Sequence, residues 1–150
     1  GLSEEYIEDN EQKRGNTDNL NNGYYFGLNN ADELYVAEAE IIKKIASTES
    51  CVIVGRCADF ILKDDENVIK VFVYSSMENK IKRVNEIYGI EKESAQKEIK
   101  RINKLRANHY KYYTERDWQD NSNYDICINS DALGVEKAAE TICELVELGI

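Results

Sequence analysis

No window of these 150 residues approaches the run of about 18 apolar side chains that a membrane-spanning helix needs, so no membrane partner is expected. The first residues are acidic and polar, so no secretory signal is expected and a cytoplasmic address is the default expectation. Positive charge is scarce: 19 Lys and Arg stand against 29 Asp and Glu, for a net charge of −10. That excess repels a phosphate backbone and argues against a nucleic-acid polymer as partner. Histidine occurs once, as His109, and Cys51, Cys57, Cys127 and Cys143 form no CxxC pair, so no metal-ligand spacing is present. Cys51 and Cys127 lie in apolar strand-like runs and Cys143 on an apolar helix face. All four cysteines read as buried free thiols of a reducing compartment.

The length of 150 residues suits one domain able to bury its own core. Residues 1–12 read as a short acidic helix with Ser3 as N-cap. Residues 13–30, rich in Asn and Gly, read as a flexible loop with an aromatic anchor at Tyr24, Tyr25 and Phe26. The spacing Leu34, Ala37, Ile41, Ile45 predicts an amphipathic helix over 31–47. A strand follows at 51–54, then a short helical turn at 58–67 and a second strand at 68–74. Ser75 with Glu78 three residues on has the capping-box pattern, and Gly89 supplies a C-terminal stop. A long helix is expected over 91–113, with Ala95, Ile99, Ile102, Leu105 and His109 near one face. A polar loop at 114–123 carries the only tryptophan, Trp118, and a third strand at 125–129 leads to a helix striped by Val135, Ala138, Ile142 and Leu145. Strands alternating with helices imply βαβ crossovers and an α/β fold: a three-layer parallel sheet with helices on both faces. Three strands are fewer than the usual four to six or so.

The run Cys51-Val52-Ile53-Val54, closed by Gly55, reads as a strand buried on both faces. Ligands of open α/β sheets bind at the carboxyl ends of strands, and Arg56 follows there. A guanidinium so placed either forks onto a phosphate or carboxylate, or merely caps the strand at the surface. Residues 97–106 hold Lys97, Lys100, Arg101, Lys104 and Arg106 against a single Glu98, a positive island suited to a small anion; the alternative is a solvated helix face.

The segments CVIVGRCADFIL, IKVFVY, KRINKLRANHYKYYTERDW and NYDICINSDALGVEKAAETI together resemble the cytidylate kinase-like family of P-loop nucleoside monophosphate kinases, over roughly residues 31–148. The resemblance implies a nucleotide-kinase fold, a nucleoside monophosphate as acceptor with CMP or dCMP foremost, and ATP with Mg2+ as donor. By position, Gly55, Arg56, Asp59 and Tyr113 would bind the acceptor. Arg101, Lys104 and Arg106 would be the catalytic cations of a lid-like segment, 91–118. On an ideal helix Arg101 and Lys104 share a face, while Arg106 points roughly 160° from Lys104. The sequence departs from the family in three places. It contains no GxxxxGK[ST] phosphate loop, so it is expected to lack the first strand and that loop and to be weak or inactive alone. Val54 and Cys57 flank the Gly-Arg pair where acidic residues are usual, and Asn103 or Leu105 replaces a lid aspartate. Asp59 could stand in for a missing acid or act as an N-cap. Tyr110, Tyr112, Tyr113 and Trp118 either stack on a base or pack on the fold, and His109 reads as structural. The rival readings are a nucleotide or anion sensor that transfers nothing, and a fragment whose exposed sheet edge drives homo-oligomerisation.

Overall fold

The computed structural model describes residues 30–149. The helix expected over 1–12 and, but for Asn30, the loop expected over 13–30 with its aromatic anchor lie outside the described residues; Asn30 opens the first helix instead. The chain divides into two compact units. One holds the described residues up to Glu66 together with Lys104–Trp118, and the other holds Asn67–Asn103 together with the residues from Gln119 onward.

The first unit begins with helix α1, Asn30–Thr48. Asp32 and Glu33 in its first turn complement the positive end of the helix dipole. At its end the Ser47 and Thr48 hydroxyls turn back onto the Lys44 carbonyl at 2.9 and 3.0 Å. Leu34 and Ile42 are buried, while Ile41 is 58% exposed. The inward stripe therefore runs Leu34–Glu38–Ile42, at i, i+4 and i+8, and not through Ile41. Periodicity alone tolerated either choice. Helix α2, Ala58–Ile61, packs against α1 and buries Ala58.

Residues 51–54, expected as a strand, are not one. Val52 and Val54 are 93% and 86% exposed, and Cys51 is exposed as well. A β-branched run supplies only a preference for extended backbone; a strand also needs a hydrogen-bonded neighbour, and none pairs with this run among the described residues.

The second unit contains the sheet: β1, Val71–Tyr74, parallel to β2, Ile126–Asn129, with Val71 opposite Ile126 and Tyr74 opposite Asn129. The fold is thus mixed α/β with a small parallel sheet of two described strands rather than three. Residues 68–70 were expected in β1, yet the strand begins at Val71. Asp125 Oδ2 accepts the Lys70 N–H at 2.7 Å and the Lys70 carbonyl accepts the Asp125 N–H at 2.9 Å, which closes the ladder. The connection from β1 to β2 runs through α3, Met77–Tyr88, α4, Lys92–Thr114, and a 3-10 turn, Asn121–Asn123. The cap of α3 is Ser76 and not Ser75: Ser76 Oγ accepts from the Asn79 N–H at 3.2 Å, while Ser75 Oγ donates to the Ser76 carbonyl. Gly89 ends α3 with φ 66°, as its lack of Cβ allows. After β2 come α5, Ser130–Leu133, and α6, Val135–Leu148. Ala138 is buried and Ile142 and Leu145 half-buried on α6, whereas Val135 and Cys143 are exposed. Cys143 sits about 100° around the helix from Ile142, enough to carry it off the inward stripe. Of the four thiols only Cys57 is buried; Cys127 is half-buried, so the expectation of buried cysteines fails at Cys51 and Cys143. Among the described residues no helix is long and apolar enough to cross a membrane.

Candidate functional site

The turn that joins residues 51–54 to α2 has an unusual backbone. Gly55, Arg56 and Cys57 have φ of 72°, 59° and 54°, three consecutive left-handed residues. The Ala58 N–H donates to the Gly55 carbonyl at 3.1 Å, closing the turn with Arg56 and Cys57 at its centre. Glycine adopts this region freely, but arginine and cysteine each carry a Cβ that approaches the following carbonyl, at a cost of about 1–2 kcal/mol per residue. Strained backbone of this kind persists only where the surroundings hold it, and it gathers at ligand sites.

Contacts from two helices hold this turn. From α1, Glu38 Oε1 accepts from Arg56 Nη1 at 2.9 Å; the arginine side chain is 40% exposed and the glutamate side chain only 14%. From α4, the Tyr110 hydroxyl donates to Asp59 Oδ2 at 2.6 Å, and Tyr110 is buried. Asp59 is therefore engaged by a tyrosine in the first turn of α2 and is not its N-cap, a position held by Cys57, whose side chain makes no capping bond to the helix. The buried Thr114 hydroxyl donates to the Tyr110 carbonyl at 2.7 Å and accepts the Arg116 N–H at 3.1 Å, fixing the end of α4.

Tyr113 packs within the fold. Its ring stacks on Tyr35 with centroids 3.9 Å apart, and its hydroxyl donates to the Ala31 carbonyl and Asp32 Oδ1 at 3.1 and 3.2 Å. The His109 ring meets both tyrosines edge-on, at 6.5 Å from Tyr35 and 4.9 Å from Tyr113. Of the predicted acceptor residues, Gly55 and Arg56 stand on the left-handed turn, Asp59 follows in the first turn of α2, and the Tyr113 ring stacks on Tyr35.

Arg101 is clamped on Glu98, one turn back on α4, through Nε at 2.9 Å and Nη2 at 2.6 Å. The bond to Arg101 holds the Glu98 carboxyl below its ordinary range, and the same pair raises the guanidinium above its own. The Lys104 and Arg106 side chains are exposed and make no hydrogen bond or ion pair with any described residue. Helix α4 runs unbroken through both, so Arg106 leaves it roughly 160° from Lys104 and the two do not converge on one point.

Sequence reasoning passed over two groups of residues. Glu38 carried a legible signal, a carboxylate midway along an apolar stripe, where an unpaired charge is costly. The other group lies at the carboxyl ends of β1 and β2. There Asp131 Oδ2 accepts the Ser76 N–H at 2.7 Å and Ser130 Oγ donates to the Tyr74 carbonyl at 3.1 Å. The Ser76 backbone bond, helped by the Ser76, Asn79 and Ser75 side chains, lowers the Asp131 carboxyl to about 2. Nothing local in the sequence marks that clasp, because its partners are 55 residues apart. No group of three or more His, Cys, Asp or Glu that could hold a metal ion occurs among the described residues.

The model of the cytidylate kinase-like family matches residues 1–132. Among solved structures, an uncharacterized protein from Eubacterium ventriosum is similar at 32% identity and a TM-score of 0.73, over 79% of this chain and 67% of that one. No curated protein matches this chain.

Proposed function

The chain belongs to the cytidylate kinase-like family, and from that membership we propose that it holds a nucleoside monophosphate, CMP or dCMP, as the acceptor of a phosphoryl group from ATP. Phosphoryl transfer asks a protein mainly for position and positive charge around the moving group. Arg56 carries this reading: a guanidinium on a strained, braced turn, 40% exposed at the side chain. An arginine fixed in this way can fork onto the acceptor phosphate with two parallel hydrogen bonds. Lys104 and Arg106, exposed on α4, supply further cationic reach, each on its own side of the helix.

The sequence contains no GxxxxGK[ST] loop to cradle donor phosphates. We therefore expect these 150 residues to bind the acceptor with little transfer of their own. A P-loop kinase architecture around the two-stranded sheet remains part of the proposal.

Isothermal titration with CMP and with cytidine tests the reading. Arg56→Ala should weaken CMP about 10- to 100-fold, the loss of a charge-assisted hydrogen bond, and leave cytidine unchanged. Equal CMP affinity for both proteins would overturn it. Val54 and Cys57, apolar neighbours of the Gly-Arg pair, favour a second reading in which the nucleotide is sensed and nothing is transferred. Tight CMP binding with no CDP formed at all, when ATP and Mg2+ are supplied, would select it.

A further inference from the structure

We propose that Glu38 is a positioning residue that sets the orientation of the Arg56 guanidinium toward an anionic ligand, an inference that rests on the acceptor-site reading above. Glu38 lies at the middle of the inward stripe of α1, between the buried Leu34 and Ile42. Its side chain is 14% exposed. An apolar residue would fill that place more cheaply, because a carboxylate taken from water loses hydration that only a well-made pair restores. The pair is made to Arg56 Nη1 at 2.9 Å.

The geometry of the turn gives the pair a purpose beyond packing. The Arg56 backbone is left-handed, with φ 59°, and its side chain leaves a turn that the residue itself disfavours. A long arginine side chain would otherwise sample many rotamers, each with the guanidinium elsewhere. Anchoring one edge of the planar group removes that freedom before the ligand arrives, and the saving appears as affinity. The anchor is also a charge, so it orients the cation while partly neutralising it. Of these two effects, orientation outweighs the partial neutralisation.

The test compares Glu38→Gln and Glu38→Ala with the unaltered chain, using CMP, cytidine and inorganic phosphate as titrants. Positioning predicts that Glu38→Ala weakens CMP and phosphate about tenfold, that Glu38→Gln, which keeps an acceptor oxygen for Nη1, restores part of the loss, and that cytidine binds all three proteins equally. A merely structural role would change cytidine and CMP together. In an Arg56→Ala background, Glu38→Ala should add nothing further. Unchanged or tighter CMP binding by Glu38→Ala overturns the proposal, tighter binding showing that Glu38 competes with the ligand. If Arg56→Ala itself leaves CMP binding unaltered, the acceptor-site reading fails instead. If Glu38→Ala proves unfolded by circular dichroism, Glu38→Gln carries the test, with CMP weakened and cytidine unchanged as the supporting result and no change in either as the refuting one.

Discussion

Replacing Arg56 with glycine should leave a more stable protein than replacing it with alanine. Both variants lose the guanidinium and its 2.9 Å ion pair with Glu38, so the comparison isolates the backbone. At φ 59° a residue with a Cβ is strained by about 1–2 kcal/mol, which glycine escapes. Glycine in turn loses more freedom on folding, by roughly 0.5–1 kcal/mol. The net expectation is an advantage of about 0.5–1 kcal/mol for glycine. Urea unfolding followed by tryptophan fluorescence reads it directly, because Trp118 is the only tryptophan and belongs to the same compact unit as the turn. The midpoints should differ with unchanged slopes. An alanine variant as stable as the glycine variant, or more so, would refute the claim that this turn stores strain. Neither variant should recover phosphate binding, since neither restores the cation.

Two further outcomes follow from particular contacts. Tyr110→Phe removes the 2.6 Å hydrogen bond to Asp59 and leaves that carboxylate short of a donor, so urea unfolding should show a loss of about 1.5–3 kcal/mol. Asp131 has its carboxyl lowered to about 2 by the Ser76 backbone bond and then by side-chain bonds, below the ordinary 3.8. Its contribution to stability is therefore complete above pH 4 or so and is lost as pH falls through about 2. Acid unfolding of Asp131→Asn should lack the part of the pH dependence that falls in this window, and an unaltered acid limb would contradict the clasp.

Local pattern in the sequence reached most of the helices. Apolar spacing placed α1, α4 and α6, Gly89 placed the end of α3, and the motifs around Gly55-Arg56 and the last strand led to the family. These features are written in neighbouring residues, and neighbouring residues alone satisfy them. Pairing was not legible in that way. The run at 51–54 is as apolar as β1, yet among the described residues only β1 of the two finds a ladder, because hydrogen bonds between strands depend on what lies beside them. The choice of Ser76 over Ser75 as cap came from a hydroxyl that turns to its neighbour's carbonyl.

The sequence by itself decided which residue types stand at the candidate site: Gly55, Arg56 and Asp59 in one short segment, with Lys104 and Arg106 on a single helix. Only the tertiary structure decided their states. It bent Arg56 and Cys57 into left-handed backbone, set Glu38 against the guanidinium, gave Asp59 to Tyr110, and stacked Tyr113 on Tyr35. Those partners lie 18 to 78 residues away along the chain. Contacts over such separations arise from packing, which no local periodicity encodes.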